Sequence, residues 1–193
     1  MNPAADARAH PRVRRCVSVA AAIVALAVAG CATSTASGGP SVAAARAATR
    51  PSAAGAALER EVVELVNRHR GARGLPALRV DERIGRQARS HSVAMAAGAV
   101  PPGHAGFDDR SDTLRRLMSC RRSAENVAFN RGYRNAASEA MRGWLGSPGH
   151  RTNIEGPYDA TGVGVASNAR GEVYFTQIFV GACASPTRAP SNR

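Results

Sequence analysis

Three histidines of this sequence lie where an imidazole can take part in chemistry. His104 lies in the segment 102–106 (PGHAG), and His150 ends the segment 147–150 (SPGH). Glycine- and proline-rich loops carry functional side chains more often than regular elements do, so we predict that these two histidines face a cleft. His91 falls on the apolar stripe of a predicted helix, where we expect a hydrogen-bonded core histidine.

The nucleophile motifs of common hydrolases are absent from the sequence. It contains no HExxH and no G-x-S-x-G segment. Ser147 lies near His150, but it precedes a proline and has no orienting acid in its motif. These features favour a binding site over an enzyme.

The N-terminal 30 residues resemble a secretory signal. Four arginines precede an apolar run at residues 17–30, which is shorter than the roughly 20 residues of a transmembrane helix. The run ends at Val28-Ala29-Gly30-Cys31, which is similar to a bacterial lipobox. We predict that residues 1–30 are removed and that Cys31 is lipidated, which anchors the protein to the outer face of the cell membrane. A signal peptide cut elsewhere and an uncleaved anchor are the alternatives.

Composition divides the remaining chain into three parts. Residues 31–57 are almost wholly Ala, Ser, Thr, Gly and Pro, which provide too little apolar bulk to fold alone. We predict that they form a disordered tether. A single domain is predicted at residues 58–183, followed by a flexible tail at residues 184–193.

The net charge limits the expected classes of partner, and the cysteine content relates to the redox state of the compartment. The net charge of +12 becomes +9 without residues 1–30 and +7 for residues 58–193, which favours anionic lipids, wall polyanions or nucleic acid non-specifically. Export makes nucleic acid the least expected of these, so we predict none, and we expect a monomer. Cys120 and Cys183 remain after processing, and an oxidising compartment favours one disulfide between them. Two buried free thiols are the alternative.

Apolar periodicity predicts the elements that position these residues. A first helix is expected from near Leu58. A second follows the N-cap Asp81, with the inward stripe Ile84, Ala88, His91 and Met95 and the polar face Arg83, Arg86 and Arg89. A short helix is expected around residues 113–118, a third long helix over 135–145 with Ala137, Met141 and Trp144 inward, and a hairpin of strands 161–167 and 173–180. This order indicates an α+β fold with helices packed on an antiparallel sheet.

Five segments, in this order, resemble the bacterial branch of the CAP superfamily (cysteine-rich secretory protein, antigen 5, pathogenesis-related 1). They are residues 88–96 (ARSHSVAMA), 104–106 (HAG), 124–128 (AENVA), 144–154 (WLGSPGHRTNI) and 162–165 (GVGV). The resemblance covers nearly all of the predicted domain. It implies a three-layer α-β-α sandwich around a central antiparallel sheet.

The resemblance also implies a cleft that contains His104, Glu125 and His150, with the fourth family position at Ser147 and Asn126 beside Glu125. Two imidazoles and a carboxylate suit Zn²⁺ or another divalent cation, although the missing fourth ligand predicts weak binding. The alternative is a hydrogen-bonded polar cluster around water. Glu139 points away from the inward face of its predicted helix, and we expect it to be a solvated charge.

Three functions remain open on these grounds. The leading one is a non-enzymatic extracellular binding module whose cleft takes a lipid, cell-wall or protein ligand. The second is a metal-assisted hydrolase of wall peptide or glycan. The third is a scaffold whose arginine-rich surface adheres to envelope polyanions.

Overall fold

The computed structural model describes residues 51–183, which form five helices and four strands. The predicted signal, Cys31, most of the tether and the tail at 184–193 lie outside these residues. In chain order the elements are α1 (Ala53–Ala72), β1 (Arg79–Val80), α2 (Glu82–Ala96), α3 (Phe107–Met118), β2 (Cys120–Arg131), α4 (Ala136–Gly146), α5 (Pro148–Glu155), β3 (Ala160–Ser167) and β4 (Glu172–Cys183).

The strands form one mixed sheet in the order β1-β3-β4-β2. The three long strands are antiparallel, with Gly164 opposite Thr176 and Glu125 opposite Ile178. β1 is parallel to β3 and pairs only with Ala160 and Thr161. β2 is therefore one edge of the sheet, and most of β3 forms the other.

Helices cover both faces of the sheet, which confirms the predicted α-β-α sandwich. On one face, α1, α4 and α5 pack Val66, Trp144 and Ile154 against Phe175 and Phe179 of β4. On the other face, the buried cluster comprises Ile84, Ala88, Leu114, Cys120, Ala160, Ile178 and Val180, from α2, α3 and the sheet. Alternate residues of β4 serve the two cores, as the two-residue period of a strand requires.

α2 packs on β3 at backbone distance because two glycines of β3 face it. A Cβ at Gly162 would lie 2.2 Å from the backbone nitrogen of Gly85, and one at Gly164 would lie 2.1 Å from that of Arg89. Both distances are far below any tolerated contact. The predicted inward stripe of α2, including His91, is buried as expected.

The N-terminal boundary of the first helix differs from the prediction. α1 begins at Ala53, so residues 53–57 are helical and do not belong to the tether. The Ser52 side chain accepts a hydrogen bond from the Gly55 backbone N–H at 3.0 Å, and alanines, the strongest helix formers, fill the first turn. The apolar periodicity missed this turn because alanine contributes little to an apolar stripe.

Two further expectations about helices were wrong. α3 begins at Phe107, six residues before the predicted start, because Gly106 adopts a left-handed conformation and Asp108 and Asp109 favour the helix N-terminus. Arg89 was assigned to the solvated face of α2, yet it is 4% exposed. Its guanidinium is buried because it pairs with Glu59 of α1.

The predicted disulfide between Cys120 and Cys183 is confirmed. It joins the start of β2 to the end of β4 and closes a loop of 63 residues. On the chain-entropy model such a loop stabilises the fold by about 4 kcal/mol. Within residues 51–183, every helix is too short or too polar to cross a bilayer.

Candidate functional site

The site lies along the edge strand β2, where the two helical layers meet. Glu125 points to the side of α3, and its side chain is 1% exposed. The neighbouring Asn126 points to the side of α5 and is completely buried. Alternation along one strand thus directs a carboxylate and an amide to opposite faces.

Arg110 of α3 neutralises the buried Glu125 carboxylate. Its Nε donates to Oε2 at 2.9 Å and its Nη2 donates to Oε1 at 2.9 Å. The remaining nitrogen, Nη1, donates to the carbonyl of Ala105 at 2.8 Å. The two-point pairing with Glu125 is the strongest geometry between arginine and a carboxylate. The bond to Ala105 holds the loop before α3 to the same guanidinium.

Of the two predicted histidines, His104 contacts this carboxylate and His150 lies beside His104. His104 Nδ1 donates to Glu125 Oε1 at 3.1 Å, and half of the His104 side chain is exposed. The rings of His104 and His150 lie 6.0 Å apart between centroids. Burial, followed by the proximity of His104, lowers the pKa of His150. The structure therefore brings His104, Glu125 and His150 together.

Asn126 positions His150 and does not face the cleft. Its amide nitrogen donates to the His150 carbonyl at 3.0 Å, and its Oδ1 accepts from Asn153 at 2.9 Å. Asn153 also donates to the Glu125 carbonyl at 3.2 Å. These bonds attach α5 to the edge of β2. Ser147, the N-cap of α5, lies half-buried beside His150.

His91 is a buried histidine that positions the loop of His104, as predicted for a core residue. It is 4% exposed, and its Nε2 lies 2.7 Å from the Gly103 carbonyl oxygen. Because a carbonyl only accepts, Nε2 carries the proton. Burial is the largest of the effects that lower the pKa of His91 below 6.5.

We expect His91 to make the free energy of unfolding depend on pH. Below about pH 6.5 the unfolded chain binds a proton at this position more readily than the folded chain, so stability falls as pH falls. The His91→Gln variant, which retains a donor for Gly103, should show a shallower decline between pH 7 and pH 5 in urea unfolding. Measurements at pH 8 give the structural effect of the substitution separately, and parallel profiles for the two proteins would exclude His91 as the source.

Glu125 is not free to serve as a metal ligand. Both oxygens of Glu125 accept from Arg110, and Oε1 also accepts from His104, so a cation bound there would adjoin a guanidinium. Among residues 51–183, no group of three His, Cys, Asp or Glu side chains is placed to hold an ion. The contacts of Glu125 are hydrogen bonds to Arg110 and His104, and both the weak zinc site and the polar cluster around water stay predictions.

A groove of about 450 Å³ continues from His150 along β2 and α4. Trp144, which is 1% exposed, forms part of its wall, and Phe129 and Tyr133, which are 57% and 54% exposed, also line it. Glu139 lines it too. Glu139 was expected to be a solvated helix charge, and its side chain, which is 19% exposed, forms an exposed pair with Arg142 of the same helix.

Sequence reasoning missed Arg110 and the groove beside His150. Arg110 lies in a segment that was expected to be a loop, and only the folded chain brings it to Glu125, 15 residues away. The spacing of Phe129 and Tyr133 gave a weak signal, since two aromatic residues flank the glycine turn after β2. Their exposure was not evident from the pattern.

Comparison with known proteins assigns this architecture to a family. The family model described as cysteine-rich secretory protein family (CAP) matches residues 63–179. The protein YkwD of Bacillus subtilis (strain 168) is 32% identical over 133 residues, which cover 65% of this chain and 48% of YkwD. The chain thus spans about half the length of this curated relative.

Similar solved structures agree with the fold. An extracellular protein containing a SCP domain from Bacillus anthracis is 25% identical, with a TM-score of 0.51 over 66% of this chain and 41% of that one. A cysteine-rich secretory protein from Staphylococcus aureus is 22% identical, with a TM-score of 0.53 over 68% and 40%. An outer surface protein from Borrelia burgdorferi is 15% identical, with a TM-score of 0.55 over 64% and 92%.

Proposed function

The chain belongs to the cysteine-rich secretory protein (CAP) family, and we propose that it is an exported envelope protein that binds a cell-wall ligand in its cleft without hydrolysing it. The cleft is defined here by His104, Glu125 and His150. Two similar proteins are described as an extracellular protein and an outer surface protein, which supports export. The lipobox-like sequence at Cys31 supports a membrane anchor that holds the domain close to the wall.

One observation carries the choice of binding over hydrolysis. Glu125 is the carboxylate that would serve as general base or metal ligand, and Arg110 binds both of its oxygens. A general base must be placed to accept a proton from water, and both oxygens of Glu125 already accept hydrogen bonds from Arg110. The half-exposed His104 ring and the groove beside His150 remain available to contact a ligand.

We expect the full chain to bind purified, lipid-free cell-wall sacculi and to release no soluble fragments. The bound fraction is measured by sedimentation, and released sugars and peptides are measured in the supernatant. The variant with both His104→Ala and His150→Ala should sediment less because it lacks the exposed face of the cleft. Sustained release of wall fragments would overturn the proposal in favour of a hydrolase.

Non-specific adhesion is tested by salt and by a matched variant. In about 1 M salt the Debye length is about 3 Å, so binding through exposed arginines is lost. Cleft binding should persist there, and it should persist in the Arg115→Ala/Arg116→Ala variant, which removes two exposed charges of α3. Loss of sedimentation under either condition would show that the protein adheres to the wall non-specifically through its basic surface.

A further inference from the structure

The groove beside His150, the aromatic groove, is lined by Phe129, Asn130, Tyr133, Trp144 and Ser147. We propose that it binds an uncharged glycan, with sugar rings lying on the exposed faces of Phe129 and Tyr133. The inference rests on the proposed function, because it names the ligand class of a site continuous with the cleft. Its volume of about 450 Å³ lies within the range of small-molecule sites, about 300–1,000 Å³.

One of the exposed aromatic side chains, that of Phe129, is held in place. Phe129 stacks on Tyr174 with ring centroids 5.8 Å apart and an interplanar angle of 19°. Tyr174 is 4% exposed and its hydroxyl donates to Glu172 at 3.0 Å. Packing on Tyr174 therefore holds the Phe129 ring in place, and the exposed face of the ring is available to contact a ligand.

The charges of the aromatic groove are already satisfied. Glu139 is the one carboxylate among the described lining residues, and both of its oxygens bond Arg142. No lysine or arginine lines the groove in the described part of the chain. A charged ligand would find no counter-ion here and would lose its hydration, whereas an uncharged ligand avoids this loss.

One polar atom of the wall lacks a hydrogen-bond partner. Asn130 is 8% exposed, its amide nitrogen donates to the Ala136 carbonyl at 2.9 Å, and its Oδ1 accepts no bond. Buried acceptors are almost always paired, and because this Oδ1 is itself buried, a ligand reaches it only when the Asn130 side chain rotates toward the groove. A sugar hydroxyl or acetamido N–H is a donor of the required kind.

A sugar has the two properties that this lining favours, an apolar ring face and hydrogen-bond donors. A pyranose ring presents a flat face of C–H groups that can cover an aromatic ring, and hydroxyl groups at its rim bond polar side chains such as Ser147. An acyl chain, in contrast, offers no donor to Asn130. In an open groove, part of its apolar surface would also stay in contact with water. The geometry therefore favours a glycan over a lipid.

The test uses the full chain and tetra-N-acetylchitotetraose, an uncharged glycan. Trp144 is the single tryptophan of the protein, so its fluorescence reports directly on the aromatic groove. We expect a saturable change in wild type, and about tenfold weaker binding in Phe129→Ala and Tyr133→Ala, which corresponds to about 1.4 kcal/mol each. The matched control is Leu117→Ala, which removes a 55% exposed side chain outside the groove and should bind like wild type.

Each outcome has a defined meaning. The absence of a saturable signal, or equal weakening in Leu117→Ala, overturns the glycan assignment. Saturation by a fatty acid but not by the tetrasaccharide overturns it in favour of a lipid. If wild type sediments with sacculi while the tetrasaccharide has no effect on Trp144, the glycan assignment fails and the proposed wall-binding function stands. Unchanged thermal unfolding of the variants excludes misfolding as the cause.

Discussion

The Arg110→Ala variant is expected to lose about 3–5 kcal/mol of unfolding free energy, because it leaves a buried carboxylate without its partner. Glu125 has a side chain that is 1% exposed, and Arg110 supplies two of its hydrogen bonds. His104, which is half exposed, is a weak replacement. Guanidinium chloride unfolding at pH 7 measures the loss, and a control at Arg115, an exposed residue of the same helix, should change stability by less than about 1 kcal/mol.

A second variant separates the charge from the packing of the arginine side chain. Glu125→Gln added to Arg110→Ala removes the uncompensated charge, so the double variant should be more stable than Arg110→Ala alone. When the single variant Glu125→Gln is measured as well, the double-mutant cycle gives the coupling energy of the pair. If the double variant is no more stable than Arg110→Ala, then lost packing accounts for the effect and the ion-pair explanation is wrong.

The site illustrates which features a sequence can predict. The family resemblance implied a cleft of His104, Glu125 and His150, and the structure brings them together. The partner that determines the chemistry of Glu125 was not expected, because Arg110 carries no motif and its role arises from a contact between α3 and β2. The same three residues can form a metal site or surround an arginine-bound carboxylate. Only the identity of the fourth side chain distinguishes these two arrangements.

Arg89 is a second residue whose role depends on a tertiary contact that the local sequence does not show. Asp81 as N-cap, the inward stripe of α2 and the terminal hairpin follow from local pattern, and all three are observed. Charge pattern places Arg89 with Arg83 and Arg86 on a solvated face, because the sequence does not show that α1 presents Glu59 to it. Gly85 and Ser92, one turn before and after Arg89, were a usable signal, since small residues mark a face that approaches its neighbours closely.

A buried carboxylate and arginine lie at each edge of the sheet. At the β2 edge these are Glu125 and Arg110. At the β3 edge, Glu59 Oε1 accepts from the Val165 backbone N–H at 3.1 Å, a donor that β1 is too short to reach. Arg89 in turn binds both oxygens of Glu59, at 2.8 and 2.9 Å. Each pair joins a helix to an edge strand, and at the β3 edge the pair also satisfies the Val165 backbone N–H.

We therefore expect Arg89→Ala to lower the unfolding free energy by about 3–5 kcal/mol and the melting temperature by roughly 10–15 °C. The substitution leaves the Glu59 carboxylate buried without its partner and weakens the contact between α1 and α2. Arg86→Ala is the matched control, since it is the same change on an exposed position of α2 and should stay within about 0.5 kcal/mol of wild type. Adding Glu59→Gln to Arg89→Ala should recover part of the loss. Equal melting temperatures for the Arg89 and Arg86 variants would show that the Glu59–Arg89 pair contributes nothing to holding the β3 edge.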